Sequence, residues 1–232
     1  MNEKNQFVEN TRLVDENQRL RQEREQRSSE LAIINSVQQG LASKLDMDGI
    51  YELVGENIRE IFQDVDVTVG IYDPDTDLAS APYAVERGKR IYLEPFKVNK
   101  RGFVYALIRN PKTILVNQDV PKAISKFNST IVAGSSSPKS MVYVPLVLDK
   151  LMRGTLILQD FHKENSFTDS DVHLLETLAN ALSVALENAR LFDETQRLLK
   201  ETEQRNSELA IINSVQQGLA KQLDFQGIID LV

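Results

Sequence analysis

Residues 140–195, SMVYVPLVLDKLMRGTLILQDFHKENSFTDSDVHLLETLANALSVALENARLFDET, decide the fold of this chain. They begin with two apolar runs, 141–148 and 151–159, that are separated only by the dipeptide DK. Apolar runs of this length joined by two polar residues predict a β-hairpin. Thr168 then precedes a long segment without Gly or Pro, which predicts an N-cap followed by a long helix.

The region before this hairpin predicts more strands and two short helices. Alternating apolar residues or short apolar runs predict strands at 65–72, 78–86, 91–98 and 113–116. Apolar spacing of three and four residues predicts helices at 56–62 and 102–110, the second of which ends before Pro111. We therefore expect an α+β domain with an antiparallel sheet flanked by helices.

Long helices are expected on both sides of this domain. All seven prolines lie between Pro74 and Pro145, and neither Gly nor Pro occurs in residues 1–39 or 168–217. A helix over the first segment would be roughly 60 Å long, so much of it needs another packing partner. Apolar residues at heptad spacing predict a parallel dimeric coiled coil through Leu13, Leu20, Leu31, Ile34, Leu41, Leu191, Leu198, Leu209 and Ile212.

The two helical segments are copies of one another. Residues 10–54 align with residues 188–232 at an offset of 178, and 32 of the 45 aligned positions are identical. The centre of the repeat is SELAIINSVQQGLA at 29–42 and again at 207–220. A repeat at domain-length spacing predicts a tandem array of modules, with a helix ending near Gly40 or Gly218 and a new helix starting after it.

The composition excludes several classes of function. The chain has no cysteine, which removes disulfides, thiolate metal sites and cysteine nucleophiles. Its formal net charge is −7, so we expect neither nucleic acid nor an anionic membrane as a partner. The sequence has no apolar run long enough to span a bilayer, and its N-terminus is too polar for a secretion signal, so we expect a cytoplasmic location. The sequence shows no catalytic motif or metal-ligand spacing, and we expect no enzymatic activity and no metal.

The sequence between residues 45 and 194 resembles the GAF domain family. The features that carry the resemblance are a strand with Pro145, a second strand with Gly154, the motif Phe167–Thr168–Asp171 and an alanine-rich helix. The resemblance implies a PAS-like antiparallel sheet with long N- and C-terminal signalling helices. The expected domains are a coiled-coil linker at 1–44, a GAF domain at 45–187, a second linker at 188–222 and the start of a second, truncated GAF repeat at 223–232.

The family's known ligands can be tested against these residues. Covalent bilin attachment and the family's methionine sulfoxide reductases both use cysteine, which is absent. The cyclic-nucleotide signature is incomplete, because Asn128, Phe167 and Asp171 match it but Ser129 and Val172 replace its Lys and Glu. Haem is not expected, because both histidines, His162 and His173, are predicted on the surface or at an interface.

The resemblance implies a ligand pocket on the open face of the sheet. Its predicted lining residues are Tyr72, Tyr83, Arg87, Phe103, Leu107, Asn117, Met141, Tyr143 and Gln159. Two functions are compatible with the sequence. One is a sensory module of a two-component system or similar pathway that relays small-molecule or partner binding to a histidine kinase or nucleotide cyclase, and the other is a ligand-free dimerisation spacer.

Overall fold

The computed structural model describes residues 46–129 and 136–229, together with residues 16, 31, 35 and 40. Four helices and seven strands follow one another along the two described ranges. In chain order they are α1 (Met47–Ile61), β1 (Asp66–Asp73), β2 (Leu78–Glu86), β3 (Lys89–Arg90), β4 (Leu93–Lys97), α2 (Gly102–Arg109), β5 (Ile114–Val116), α3 (Val120–Lys126), β6 (Ser140–Leu148), β7 (Leu151–Asp160) and α4 (Asp169–Ile229).

The strands form one antiparallel sheet in the order β3-β2-β1-β7-β6-β5, and β4 also pairs with β2. The predicted α+β class with an antiparallel sheet, flanking helices and a long C-terminal helix is confirmed. The predicted hairpin is the β6–β7 pair, in which Ser140 lies opposite Asp160 and Leu148 opposite Leu151. Asp149 and Lys150 have φ of 50° and 66°, which is the left-handed pair that a tight type I′ turn requires.

Successive side chains along each strand point to opposite faces of the sheet. On β7, Leu156 and Leu158 are fully buried, and they lie opposite Val69 and Val67 of β1 in the register. This face carries α1, which contacts β1 and β2. The intervening residues of β7 point to the other face, where α2 lies.

Helix α1 begins after Gly40, in the region where the repeat predicted a new helix start, and it includes most of the helix predicted at 56–62. Asp46 caps it by accepting a hydrogen bond from the Gly49 N–H at 2.6 Å, so the helix runs from Met47 to Ile61. The sequence prediction missed β3 and α3. The first has only two residues and the second only seven, which is too short for apolar periodicity to be visible.

Helix α4 begins with a reciprocal cap. The Thr168 hydroxyl accepts from the Asp171 N–H at 3.2 Å, and the Asp171 carboxylate accepts from the Thr168 N–H at 2.8 Å. These bonds satisfy N–H groups that have no partner within the helix. The buried side of the helix contributes Leu174, Leu175, Leu178 and Leu182 to the core.

The predicted break near Gly218 is wrong. Helix α4 is continuous over 61 residues and passes through Gly218 to Ile229. A glycine costs a helix only about 1 kcal/mol relative to alanine, and the neighbouring residues supply good helix formers. Gly40 is itself helical, but residues 36–39 and 41–45 lie outside the described residues. The predicted helix end near Gly40 therefore also lies outside them.

The chain divides into two compact units, Met1–Glu187 and Asn188–Val232. The boundary between them falls within α4. No helix in the ranges that the structure describes is long and apolar enough to cross a membrane.

Candidate functional site

A cavity of about 300 Å³ lies on the sheet face opposite α1. Its floor consists of β1, β2, β6 and β7, and residues of α2, α3 and β4 complete its walls. On β7 the lining residues Thr155, Ile157 and Gln159 alternate with the buried leucines of the other face. The sheet therefore separates this cavity from the core that holds α1.

Most of the wall is apolar and aromatic. Phe103 of α2 stacks on Tyr143 of β6, with ring centroids 5.0 Å apart and an interplanar angle of 25°. Phe103 also contacts Phe127, with centroids 4.7 Å apart. The other apolar lining residues include Ile71, Val85, Ile91, Leu93, Phe96, Met141, Met152, Ile157 and Phe161. A concave apolar surface of this kind suits a small organic molecule.

The wall also carries polar side chains, among them Thr155 and Gln159. Thr155 is only 3% exposed, whereas Gln159 is half-buried. Among the described residues no buried side-chain nitrogen or oxygen lacks a hydrogen-bond partner, so polar groups of the wall that have none are open to the cavity. A Cβ on Gly70 would lie 2.8 Å from the Thr155 Oγ1, so a glycine at this position leaves space for the hydroxyl. These groups are available to a bound molecule.

Carboxylates are the charged groups of the described lining. Asp66 and Glu86 both line the cavity, whereas no Lys, Arg or His does so among the described residues. Asp66 is buried, and its two carboxylate oxygens accept hydrogen bonds from the Arg87 N–H at 2.7 and 2.9 Å. Burial raises the pKa of Asp66 more than these backbone hydrogen bonds lower it.

The structure brings five of the nine predicted pocket residues together on this wall. They are Tyr72, Phe103, Met141, Tyr143 and Gln159. Desolvation raises the pKa of Tyr143 to about 12, so its phenol is neutral at physiological pH. The other four predicted residues, Tyr83, Arg87, Leu107 and Asn117, lie elsewhere.

Tyr83 lies on the opposite face of the sheet. The register pairs Val69 with Tyr83, so both side chains point towards α1. The ring packs on Gly55, the Tyr83 hydroxyl donates to Glu56 at 2.8 Å, and the Arg90 guanidinium lies 4.0 Å from the ring centroid. The conformation of this tyrosine is thus set by α1 and β3.

The remaining three predicted residues hold the structure around the cavity. The Asn117 amide holds the backbone of Phe167, which precedes α4, through two hydrogen bonds. It donates to the Phe167 carbonyl at 2.6 Å and accepts from the Phe167 N–H at 3.3 Å. Leu107 is fully buried one turn after Phe103. The Arg87 guanidinium donates to the Ser136 hydroxyl at 2.8 Å and lines a neighbouring depression with Arg59 and His162. This depression shares Asp66, Ser136 and Phe161 with the cavity.

The residues that match the cyclic-nucleotide signature do not line the cavity. Phe167 is buried and its ring lies 6.5 Å from that of Phe62, while Asp171 belongs to the cap of α4. Asn128 has a φ of 49° in the turn that follows α3. Both histidines are exposed.

Sequence reasoning missed several lining residues that matter chemically, among them Thr68, Glu86, Phe96 and Thr155. The signal for two of them was present. Thr68 lies four residues before the predicted Tyr72 on β1, and Thr155 lies four residues before the predicted Gln159 on β7. Residues at even spacing on one strand share a face, so each predicted residue implied its neighbour.

A second feature lies on the C-terminal part of α4. The predicted dimer residues Leu191, Leu198, Leu209 and Ile212 are between 47% and 55% exposed in the single chain, and Leu219 continues their spacing. Leu31 of the first copy is exposed as well. The predicted residues Leu13, Leu20, Ile34 and Leu41 lie outside the described residues.

Comparisons with known proteins agree with this architecture. The family model for the GAF domain matches residues 44–187. No curated protein sequence matches the chain.

The similar solved structures are distant in sequence. The GAF domain of an Acinetobacter phosphoenolpyruvate-protein phosphotransferase is 14% identical, with a TM-score of 0.58, and the match covers 69% of this chain and 94% of that one. Residues 122 to 287 of a methyl-accepting chemotaxis protein are 20% identical with the same TM-score, over 67% of this chain and 98% of that one. A free methionine-R-sulfoxide reductase of Neisseria meningitidis is 21% identical with a TM-score of 0.56, over 68% and 89% of the two chains.

At these identities the structural matches establish the fold, and the family model covers more than half of the chain. The antiparallel sheet, its flanking helices and the long C-terminal helix match a GAF fold. This chain belongs to the GAF domain family.

Proposed function

We propose that this chain is a regulatory module that binds a small molecule in the sheet cavity and pairs with a second copy through its terminal helices. Binding biases an output domain elsewhere in the same protein, such as a histidine kinase or a nucleotide cyclase. The observation that carries the proposal is the aromatic cavity of about 300 Å³, whose wall also carries the Thr155 hydroxyl and the Gln159 amide. Wall groups of this kind fix the orientation of a ligand in small-molecule sites.

The proposed coupling between the cavity and α4 runs through the core of the domain. Strand β7 exposes Thr155 and Ile157 to the cavity and buries Leu156 and Leu158 on the other face. Helix α4 adds its own leucines to the core, and the Thr113 hydroxyl donates to its Glu176 at 2.6 Å. We expect a ligand that moves β7 to disturb this core and, through it, the packing of the helix that continues to Ile229.

The exposed apolar residues of α4 support pairing with a second copy. Leu191, Leu198, Ile212 and Leu219 keep the spacing of one heptad position, and Arg205 occupies the same position between them. Leucines at one heptad position form the seam of a coiled coil, whereas a charged residue there weakens it. Such a seam suits a helix pair that must change between two arrangements.

The neighbouring folds include a chemotaxis protein and a reductase. We favour regulation over catalysis because the chain has no cysteine, and because the described cavity wall lacks His, Lys and Arg. General acid–base or nucleophilic chemistry most often depends on such groups.

Sedimentation equilibrium tests the pairing. The parent chain is expected to sediment as a dimer, and the double variant Leu198→Lys, Ile212→Lys as a monomer of 26.3 kDa, because charges at a seam oppose association. The matched control, Asp193→Lys with Ser207→Lys, adds lysines at exposed positions off the seam and should remain a dimer. A parent chain that is monomeric at every concentration would contradict the proposed pairing.

The cavity is tested separately by ligand screening. A module that senses a small molecule shows a ligand-dependent rise in melting temperature, because binding to the folded state alone stabilises it. A ligand-free spacer shows no rise with any compound while still forming dimers.

A further inference from the structure

We propose that strand β4, at the edge of the sheet, is the entrance of the cavity and closes over a bound molecule with Leu93 and Phe96. The inference rests on the proposed function, since it names the part of the same cavity that admits and then covers a ligand. It is carried by the exposure of these two wall residues, by the irregular pairing of β4 with β2 and by the unpaired outer edge of β4 in the described chain.

The wall residues of β4 are exposed, whereas those of α2 and β6 are buried. Leu93 is 41% exposed and Phe96 is 50% exposed, although both line the cavity. Phe103 of α2 and Met141 of β6 line it as well and are only 4% and 1% exposed. Large apolar side chains gain free energy when they leave water, so a molecule in the cavity is stabilised if Leu93 and Phe96 fold over it.

Both ends of β4 are held by backbone hydrogen bonds. Before the strand, the Ile91 N–H donates to the Ala84 carbonyl at 3.0 Å. After the strand, the Val98 N–H donates to the Asp77 carbonyl at 3.1 Å, and the Val98 side chain is buried. Residues 92–97 therefore form a strap that is fixed at its two ends.

The middle of this strap pairs irregularly with β2. The register pairs Ala79 with Phe96 and Ala81 with Leu93, so β4 has one residue more than β2 between these two pairs. An extra residue of this kind is a β-bulge, which interrupts the ladder of hydrogen bonds. Pro95 lies within the bulge, and a proline has no N–H to donate. The centre of the strap is therefore held more weakly than its ends.

The packing of the strap also differs from that of α2. The Phe103 ring of α2 contacts the rings of both Phe127 and Tyr143, with centroids 4.7 and 5.0 Å away. Strand β4 pairs with β2 and with no other strand in the described chain. Segments with few buried apolar contacts and an exposed backbone open locally at the lowest free energy. Opening at β4 therefore gives a ligand access to the cavity with less loss of packing than opening at α2.

The contact of the strap with a ligand is tested by affinity. N-phenyl-1-naphthylamine is an uncharged aromatic probe that brightens when it leaves water for an apolar site. We expect Phe96→Ala to weaken its binding to the full chain by about tenfold and Leu93→Ala by about fivefold, because each removes apolar surface that the bound probe covers. Tyr92→Ala is the matched control, since Tyr92 precedes β4, is 85% exposed and is not among the residues that line the cavity. Ala81→Phe fills the cavity and should abolish binding.

The entrance is tested by a reversible cross-link. The chain has no cysteine, and Ala81 lies directly opposite Leu93, so the variant Ala81→Cys, Leu93→Cys joins β2 to β4 through one disulfide. We expect oxidation to slow both the binding and the release of the probe in stopped-flow fluorescence by at least about tenfold relative to the same variant reduced. The control Leu148→Cys, Leu151→Cys joins β6 to β7 at the hairpin, outside the wall, and its oxidation should leave both rates unchanged.

The outcomes separate this inference from the proposed function. If the probe does not bind, or if binding survives Ala81→Phe, the cavity is not the site of the probe and both proposals fail. If Phe96→Ala and Leu93→Ala bind the probe as tightly as Tyr92→Ala does, or if the oxidised link between β2 and β4 leaves both rates unchanged, the role of β4 is wrong while the cavity stands as a ligand site. The affinity comparison decides the question even where the disulfide does not form, and melting temperatures show that every variant is folded.

Discussion

The packing of Tyr83 on Gly55 joins α1 to the sheet. A Cβ on Gly55 would lie 2.3 Å from the tyrosine ring, which is fully buried. We expect Gly55→Ala to lower the free energy of unfolding by about 1–3 kcal/mol, because the ring has no room to move. Urea denaturation measures the change. Gly218→Ala is the matched control, since nothing lies within 4 Å of a Cβ there and alanine favours the helix.

A double-mutant cycle separates the clash from other effects of alanine. Tyr83→Leu removes the ring, so adding Gly55→Ala to it should cost markedly less than Gly55→Ala alone. Equal costs in the two backgrounds would show that the glycine matters for a different reason.

Three tyrosines make the stability sensitive to alkaline pH. Burial is the first cause that raises the pKa of Tyr51, Tyr83 and Tyr143 from 10.0 to about 12 each. A phenol with a raised pKa holds its proton more tightly in the folded chain, so its contribution is complete below pH 10 and is lost as the pH rises towards 12. We expect the free energy of unfolding to fall over that interval.

The variant Tyr143→Phe isolates one of these groups. Burial alone raises the pKa of the Tyr143 phenol, so the substitution removes the titrating group and keeps the ring. Urea denaturation between pH 10 and 12 should show a slope shallower than that of the parent by about a third. An unchanged slope would mean that the Tyr143 phenol does not keep a raised pKa in the folded chain.

At the scale of single residues, the existence of a pocket is easier to predict from the sequence than the identity of the side chains that line it. Tyr72, Phe103, Met141, Tyr143 and Gln159, which the resemblance to the family implied as lining residues, line the cavity. Tyr83 does not, because a tyrosine fits either face of a strand and only the pairing with Val69 decides which. The Asn117 amide is used by the Phe167 backbone, a contact 50 residues away that local pattern does not reveal.

Among the elements, α4 depends on its N-terminal cap. Thr168→Ala removes the hydroxyl that accepts from the Asp171 N–H, and we expect a loss of about 1 kcal/mol in the free energy of unfolding. The control Thr177→Ala replaces a half-buried threonine within the same helix, whose hydroxyl donates to the His173 carbonyl, and should be neutral or slightly stabilising. Equal losses in the two variants would contradict the role of the cap.

The elements that the sequence predicted are those with a clear period. The hairpin β6–β7, β2 and α2 have strong alternation or helical spacing, and the structure confirms them within one residue at each end. Strand β3 and helix α3 have too few residues for a period. Helix α4 continues through Gly218 because one glycine cannot outweigh the propensity of its neighbours.

At the scale of the whole molecule, the repeat and the exposed leucines of α4 bear on the proposed pairing of two copies. The repeated sequence occupies residues 10–54, which overlap the start of the GAF domain, and residues 188–232, which follow it. A helix pair can transmit a signal only if two arrangements differ by a few kcal/mol. The central claim is therefore that the proposed helix pair responds to occupancy of the cavity.

That claim can be tested by one distance between two copies of α4. The chain has no cysteine, so Ser207→Cys on the exposed surface of the helix carries a single nitroxide label. Double electron–electron resonance should give one narrow distance between copies, which shifts when N-phenyl-1-naphthylamine fills the cavity and stays unshifted when Ala81→Phe blocks it. The absence of a dipolar signal, or the same distance with and without the bound probe, would contradict the account.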